Sequence, residues 1–404
     1  MSSSLRIAIL HPNMTIGGAE RLLLDMEKCL QNNGHVVHFF TTNHQKSHCF
    51  SETLDGSVKI DVVTEKIPFT IFHRFFRLMA ALKMILMTLW VLLFGPKFDV
   101  YLVDQISIVL PLLWIFRKRT IFYIHFPEKL LWLQKANGGK QIYRKIFNFI
   151  EEISLMFASK ILVNSNFTKN AYDKAYPILK HFNKEAEVLY PAIDIQQIHH
   201  SKLDEGNANL EAVLPKGIPF FLSLNRFQPI KKVHFVIECF AKFRSRNPES
   251  QAHLVLAGGY DPDCKENVEY LLFLEEHSRN LGVDKWTLFL RNIDNHARLM
   301  LSSSCICLCF TPENEHFGII PIEVMSVGRP VLAHNSGGPR ETVSEDSGFL
   351  LEYNALLWSD KMEFLWRYPK AMKEMGKNAK KRVEDFFSMN AFSNHLNEII
   401  NSVM

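Results

Sequence analysis

The chain has 404 residues, 47% hydrophobic and 22% charged, with a formal net charge of +4. That length gives a prior of two or three domains, and the composition allows large cores. The small positive charge does not argue for nucleic acid, and no nucleic-acid partner is expected, but it permits contact with an acidic membrane surface.

In chain order, Met1–Arg6 runs straight into the strand Ile7–Leu10, within the apolar run Leu5–His11, so no signal peptide is expected. A turn at Gly17-Gly18 follows. Leu22, Leu23, Met26 and Leu30 then recur at helical spacing, Gly34 closes the helix, and Val36–Thr41 reads as a strand. This strand–loop–helix–strand start argues for a parallel, doubly wound sheet. G-x-G-x-x-G is absent, which speaks against a dehydrogenase. Asn13-Met14-Thr15 and Asn166-Phe167-Thr168 match the glycosylation sequon by pattern only.

Phe69, Phe72, Phe75 and Phe76 are interleaved with His73, Arg74 and Arg77, and a nearly continuous apolar run follows, Leu78–Phe94. A core helix, a membrane span and a helix in the membrane interface are all compatible with it. The interfacial reading is preferred because basic and aromatic residues flank the run. A single crossing would also separate the strand Phe98–Asp104 from Ile7–Leu10, which should share its sheet.

Thr120–Phe126 reads as another strand. Its carboxyl end carries His125, placed for a ligand crevice. Ile142–Phe157 reads as a helix, Lys160–Asn164 as a strand and Ser165 as the cap of the next helix. The domains are expected at 1–200, with a membrane-associated segment at 69–94, and at 218–385. Polar residues 201–217 form the linker, and a C-terminal helix at 386–404 packs back on the first domain.

The second half repeats the α/β pattern, with strands at Phe220–Leu224, His253–Ala257, Trp286–Leu290, Ile306–Phe310 and Val331–His334 and helices at Leu271–Asn280 and Met372–Phe387. Cys305, Cys307 and Cys309 alternate, as on one face of a buried strand in a reducing compartment, and fit no zinc spacing. Asn225-Arg226-Phe227 follows the first of these strands, with Lys231 and Lys232 close behind. Arg offers planar bidentate contacts and Lys a compact charge, and together they suit a diphosphate. Asp261-Pro262-Asp263 imitates a metal-binding pair but lies in a polar turn, so no metal is expected.

The densest stretch is Thr311–Val343, T-P-E-N-E-H-F-G-I-I-P-I-E-V-M-S-V-G-R-P-V-L-A-H-N-S-G-G-P-R-E-T-V. Pro321 suits the first position of a helix and Gly328 the position just past its end. The N–H groups of Gly318, Ile319 and Ile320 would then lie at a helix N-terminus, an anion site favoured by the dipole. Glu315 falls in the loop before the helix and Glu323 in its first turn. Carboxylates beside a phosphate cradle suggest a sugar nucleotide. Both lie in one helix-start segment, unlike a glycosidase pair held across a glycosidic bond.

Glu315-His316-Phe317-Gly318 through Ser336-Gly337-Gly338-Pro339 resembles the E-x7-E motif and glycine loop of retaining GT-B glycosyltransferases of the group 1 type. With Gly17-Gly18-Ala19-Glu20-Arg21, His125-Phe126-Pro127 and Asn225-Arg226-Phe227 it resembles, in particular, the α-1,3/1,6-mannosyltransferases of the dolichol pathway. The resemblance covers nearly the whole chain; Gln228-Pro229-Ile230 departs from the more charged family pattern. It implies an α/β GT-B fold, two Rossmann-like doubly wound domains facing a central cleft. It implies Glu315, Arg226, Lys231 and His125 as catalytic residues, with Glu323, Gly318, Ile319, Ile320, Gly17, Gly18 and Lys232 binding the donor. Glu315 would orient the donor sugar and Glu323 the ribose. GDP-mannose would be the donor, without metal or cofactor, and a dolichyl-diphosphate-linked Man1GlcNAc2 the acceptor. Two additions would follow, α-1,3 then α-1,6, on the cytosolic face of the endoplasmic reticulum membrane. A complex with other mannosyltransferases of the pathway is compatible with this. Another retaining GT-B transferase and a non-catalytic scaffold of the same fold are the alternatives.

Overall fold

The computed structural model describes residues 4–68, 76–131, 139–194 and 217–404. The chain divides into two compact units, one of residues 1–192 with 389–404 and the other of residues 193–388. Most of the stretch read as a linker, and the aromatic-basic residues 69–75, lie outside the described residues.

The strands of the first unit are β1 (Arg6–His11), β2 (Val36–Thr41), β3 (Ile60–Val62), β4 (Val100–Asp104), β5 (Arg119–Ile124), β6 (Lys160–Val163) and β7 (Ala186–Val188). They form one parallel sheet in the order β3-β2-β1-β4-β5-β6-β7. Its helices include α1 (Gly18–Asn32), α2 (Phe76–Phe94), α3 (Gly139–Leu155) and α4 (Asn166–Ala175). As the sequence suggests, Ser165 caps α4, its hydroxyl accepting from the Thr168 N–H at 3.0 Å. Parallel sheets are covered on both faces, so their strands are apolar almost throughout. Ile7 and Ile9 pack with Leu22, Leu23, Met26 and Leu30 of α1 on one face. Ala8 and Leu10 pack with Met84, Met87 and Val91 of α2 on the other.

The second unit is a parallel six-stranded sheet of β8 (Phe220–Leu224), β9 (His253–Gly258), β10 (Thr287–Arg291), β11 (Leu308–Phe310), β12 (Val331–His334) and β13 (Gly348–Leu351). The order is β10-β9-β8-β11-β12-β13. Its helices include α5 (Val233–Arg246), α6 (Asn295–Ser304), α7 (Ile319–Ser326), α8 (Ala355–Arg367) and α9 (Pro369–Phe386). Val236, Phe240 and Phe243 of α5 pack with Phe221, Leu254, Cys307 and Cys309. Cys305, Cys307 and Cys309 are all free thiols and wholly buried, as expected, but β11 begins at Leu308, so only Cys309 lies in the strand and Cys305 ends the preceding helix.

Strand order reverses between β1 and β4 in the first unit and between β8 and β11 in the second. The carboxyl ends of these neighbouring pairs are the topological switch points where ligands of open α/β sheets bind.

Two helices have further consequences. Met79, Met84, Met87 and Val91 of α2 are buried, whereas Leu78, Leu82, Leu86, Trp90 and Leu93 are exposed along the opposite side at helical spacing. α2 is therefore half core helix and half uncovered apolar surface. The last helix, α10 (Met389–Ser402), belongs to the first unit. Its Phe392, Leu396, Ile399 and Ile400 are buried in the α1 cluster, and Asn33 Nδ2 donates to Ser393 Oγ at 3.0 Å. Leu396→Ala should cost about 2–5 kcal/mol by leaving a cavity in that core. Chemical denaturation of the variant measures this, and a loss below about 1 kcal/mol would show α10 to be an appendage.

Candidate active site

In the second unit, chain leaving β8 passes over a glycine turn after β9. The Phe227 N–H donates to the Gly259 carbonyl at 3.0 Å, and a Cβ on Gly259 would come within 3.3 Å of Arg226 Cγ. The Arg226 stem thus lies along Gly259, and the residue is exposed. A 3-10 turn, Pro229–Lys231, follows, and Lys232 enters α5 with φ 50°, in the left-handed region. That reversal gives adjacent lysines different partners. Lys231 Nζ donates to Glu315 Oε2 at 2.6 Å. Lys232 pairs with Glu313 and lies 4.2 Å from the Tyr353 ring centroid. Thr311 Oγ1 donates to the Lys231 carbonyl at 2.8 Å, binding this turn to the chain leaving β11.

The glycine loop supports Glu315 from behind. The Gly338 N–H donates to the Glu315 carbonyl at 2.7 Å, and the Asn314 N–H to Ser336 Oγ at 3.0 Å. Gly337 has φ 64°, and a Cβ on Gly337 or Gly338 would overlap the Glu315 or Phe317 carbonyl. Only glycine lets the two backbones approach this closely.

α7 starts earlier than the sequence suggests. Gly318, with φ 85°, is its N-cap and Ile319 its first residue, so Pro321 is the third helical residue rather than the first, and Glu323 lies in the second turn rather than the first. The N–H of the third residue is still an orphan, so proline is tolerated there too. Gly318, Ile319 and Ile320 therefore carry the first-turn N–H groups, as expected. Gly328 follows the helix end with φ 79°. Glu323 is paired with Arg298 of α6. The sequence reading identified neither Arg298 nor Glu313 as a partner.

In the first unit, Gly17 is the extended N-cap of α1, Gly18 is its first residue, and a Cβ on Gly18 would meet nothing within 4 Å. His125 follows β5 with its side chain 28% exposed, and its Nε2 lies 3.1 Å from Asp104 Oδ2. Asp104 ends β4 and is wholly buried, as is His11 at the end of β1. His11 Nδ1 lies 2.7 Å from Asp104 Oδ1, while its Nε2 lies 2.9 Å from the Asn13 carbonyl and 3.4 Å from Glu20 Oε1. Burial opposes a charge on His11, but Asp104 and then Glu20 outweigh it and raise its pKa to about 10. Burial likewise disfavours the Asp104 carboxylate, but His11 and His125 hold its pKa below the ordinary value. His11 and Asp104 were not singled out from the sequence, although each ends an apolar strand much as His125 follows one, the signal that marked His125.

Glu20 also lines a cavity of about 520 Å³ with Asn13, Asn43, Gln45, Gln105 and Glu151 among its walls. Asp261 and Asp263 form a local turn, the Asp263 N–H donating to Asp261 Oδ1 at 2.9 Å. Among the described residues no cluster of three or more His, Cys, Asp or Glu could hold a metal ion.

Two parallel-sheet Rossmann-like units, with Lys231, Glu315 and an α7 N-terminus at the switch point of the second, define the class: a glycosyltransferase of the GT-B fold. Residues 209–382 match the model for glycosyl transferases group 1, and residues 16–197 that for glycosyltransferase family 4. Among solved structures, sucrose-phosphate synthase from Thermosynechococcus elongatus superposes with a TM-score of 0.72 at 18% identity, covering 99% of both chains. WaaG, a glycosyltransferase involved in lipopolysaccharide biosynthesis, gives 0.65 at 13% identity, covering 97% of this chain and 99% of its own. The α-1,3/1,6-mannosyltransferase ALG2 of Dictyostelium discoideum is 37% identical over 98% of both chains. The protein of that name from Mus musculus is 35% identical over 98% of this chain and 96% of its own. The chain belongs to the ALG2 family of α-1,3/1,6-mannosyltransferases.

The raised pKa of His11 has a stability consequence. A group whose folded pKa lies above its unfolded value of 6.5 stabilises fully below that pH and loses its contribution as pH rises through the folded value, about 10. Melting temperatures should therefore fall across that window, and His11→Gln with Asp104→Asn, which removes both buried charges, should flatten the fall. Parallel wild-type and variant curves would contradict the charged state of His11.

Proposed function

We propose that this enzyme transfers mannose from GDP-mannose to a dolichyl-diphosphate-linked Man1GlcNAc2 acceptor, adding the α-1,3 and then the α-1,6 residue with retention at the anomeric carbon. The relatives' name supports the sugar and the linkages. The observation that carries the catalytic reading is the Lys231–Glu315 pair at 2.6 Å beside the first-turn N–H groups of α7. In the transfer, the bond between C1 and the diphosphate oxygen breaks, a bond from an acceptor hydroxyl oxygen to C1 forms, and the hydroxyl proton passes to the departing diphosphate. Negative charge develops on the diphosphate and positive charge on the sugar ring. Arg226, Lys231 and the N–H groups of Gly318, Ile319 and Ile320 stabilise the first. Glu315 orients the donor sugar through hydroxyl contacts, its carboxylate held in place by Lys231. Glu323 grips the ribose, Lys232 and Gly17-Gly18 border the donor, and His125 lies near the sugar. No step in this reading needs a metal.

The uncovered side of α2 supports membrane attachment. α2 is long and apolar enough to cross a membrane, but Met84, Met87 and Val91 are packed against the sheet. A helix committed to a domain core on one side suits the interfacial plane, with Leu78, Leu82, Leu86, Trp90 and Leu93 in the lipid. The reading places the enzyme on the cytosolic face of the endoplasmic reticulum membrane, where a lipid-borne acceptor would be presented.

Purified enzyme in detergent, given GDP-mannose, a lipid-linked mannosyl-chitobiose and EDTA, should yield products two hexoses longer and sensitive to linkage-specific mannosidases. Glu315→Gln should slow transfer about 100-fold or more. Turnover with a UDP-sugar and none with GDP-mannose would discard the donor assignment. For the membrane, Leu82→Gln with Leu86→Gln and Trp90→Gln should abolish flotation with vesicles containing anionic lipid while leaving the melting temperature near wild type. Undiminished flotation would move the attachment elsewhere.

A further inference from the structure

The switch point of the first unit holds charged groups that the transfer chemistry above does not use. His11 closes β1 and Asp104 closes β4, neighbouring strands on either side of the reversal in strand order. Both side chains are wholly buried. A buried charge is costly unless paired and hydrogen-bonded, and this pair is satisfied at nearly every polar atom. His11 Nδ1 donates to Asp104 Oδ1 at 2.7 Å, and Nε2 faces the Asn13 carbonyl at 2.9 Å and Glu20 Oε1 at 3.4 Å. The second oxygen, Oδ2, is committed to His125 Nε2 at 3.1 Å.

That last contact determines the proton on His125. A carboxylate held ionised by His11 can only accept, so Nε2 of His125 must carry the hydrogen. In the neutral ring Nδ1 is then an acceptor. The ring is further confined by Tyr123, whose centroid lies 5.0 Å away, and its backbone carbonyl accepts from Asn164 Nδ2 at 2.9 Å. Of these three titratable side chains only His125 reaches the surface, with 28% of its side chain exposed.

We infer that His11 and Asp104 are a positioning pair: a buried imidazolium–carboxylate unit that holds His125 in its Nε2–H tautomer so that Nδ1 accepts a hydrogen bond from a sugar hydroxyl. The ligand class is a neutral polyhydroxylated group: with Nε2–H committed to Asp104, Nδ1 is the ring nitrogen left to a ligand, and as an acceptor it takes a hydroxyl hydrogen rather than a phosphate oxygen. The kinetic consequences rest on the transferase reading above; the tautomer does not.

Removing Asp104 alone would strand a buried imidazolium and threaten the fold, so the informative variant is His11→Gln with Asp104→Asn, which removes both charges and keeps hydrogen-bonding groups. Two measurements test the pair. In full-length protein labelled at histidine, nitrogen NMR should find the His125 signal, assigned by its loss in His125→Ala, as the Nε2–H tautomer, and as a mixture in the double variant. In the mannosyl-transfer assay the double variant should lower kcat about tenfold or more, an orienting carboxylate's effect, with KM for the donor changed less than about threefold. Placed on a His125→Ala background, the same two changes should alter kcat less than about twofold, because their effect passes through His125. An Nδ1–H tautomer in the wild type would overturn the proposal, and so would kinetic effects that multiply independently on the His125→Ala background. Absence of mannosyl transfer would fault the donor reading and leave the NMR result to decide the pair.

Discussion

Burial of both faces of a parallel sheet governs where this protein can place charge. Along β1, β4, β8 and β11 the side chains enter cores on either side, so the strands are nearly all apolar. Polar groups must wait until the strand ends. At the two reversals of strand order the flanking helices diverge, and the chain can turn without its neighbours closing over it. His11, Asp104 and His125 occupy such ends in one unit, and Asn225–Lys232 and Thr311–Glu315 occupy them in the other. In the proposed reading the chemistry falls to these short loops, whose positions are fixed by rigid strands, with Gly337 and Gly338 where two loops of the second unit touch.

Charge at these ends is arranged in pairs. Lys231 with Glu315, Lys232 with Glu313 and Arg298 with Glu323 each bring one cation against one carboxylate. Each pair is partly exposed, so its worth in stability is modest. Its worth in placement is larger, since a carboxylate already neighboured by a cation need not be desolvated afresh when a ligand arrives. The His11–Asp104 pair is of another kind. It has no access to solvent, and removing one partner would leave an uncompensated charge inside the domain.

Much of this was legible in the sequence. The spacing of Glu315, Gly318, Pro321, Glu323 and Gly328 gave the loop, the helix and its end, because proline and glycine have narrow backbone roles. The same rule erred by two residues at the start of α7: proline is as well tolerated at the third helical position as at the first, and Ile319-Ile320 carry no sign of which applies. The partners were harder. Arg298 meets Glu323 only because α6 packs beside α7, and nothing within α6 distinguishes that arginine from one facing solvent. Asp104 meets His11 across strands 93 residues apart, a pairing set by sheet order. For α2 the composition suggested an apolar helix, but which residues faced the core depended on its register against β1 and β4.

The paired carboxylates bear on how a diphosphate would be received. Lys231, Lys232 and Arg298 are each offset by an acid, so their charges largely cancel at a distance. Arg226 is exposed and held by its aliphatic stem against Gly259, and the first-turn N–H groups of α7 add the positive end of a helix dipole. On the proposed reading, these two sources would supply the positive potential that first draws an anion. Lys231 contributes at shorter range, where its ammonium can donate to a phosphate oxygen while still in reach of Glu315, since it has three hydrogens to give. The Lys231–Glu315 contact and catalysis are then compatible: the bond that orders the lysine before the donor arrives need not be broken for the lysine to act.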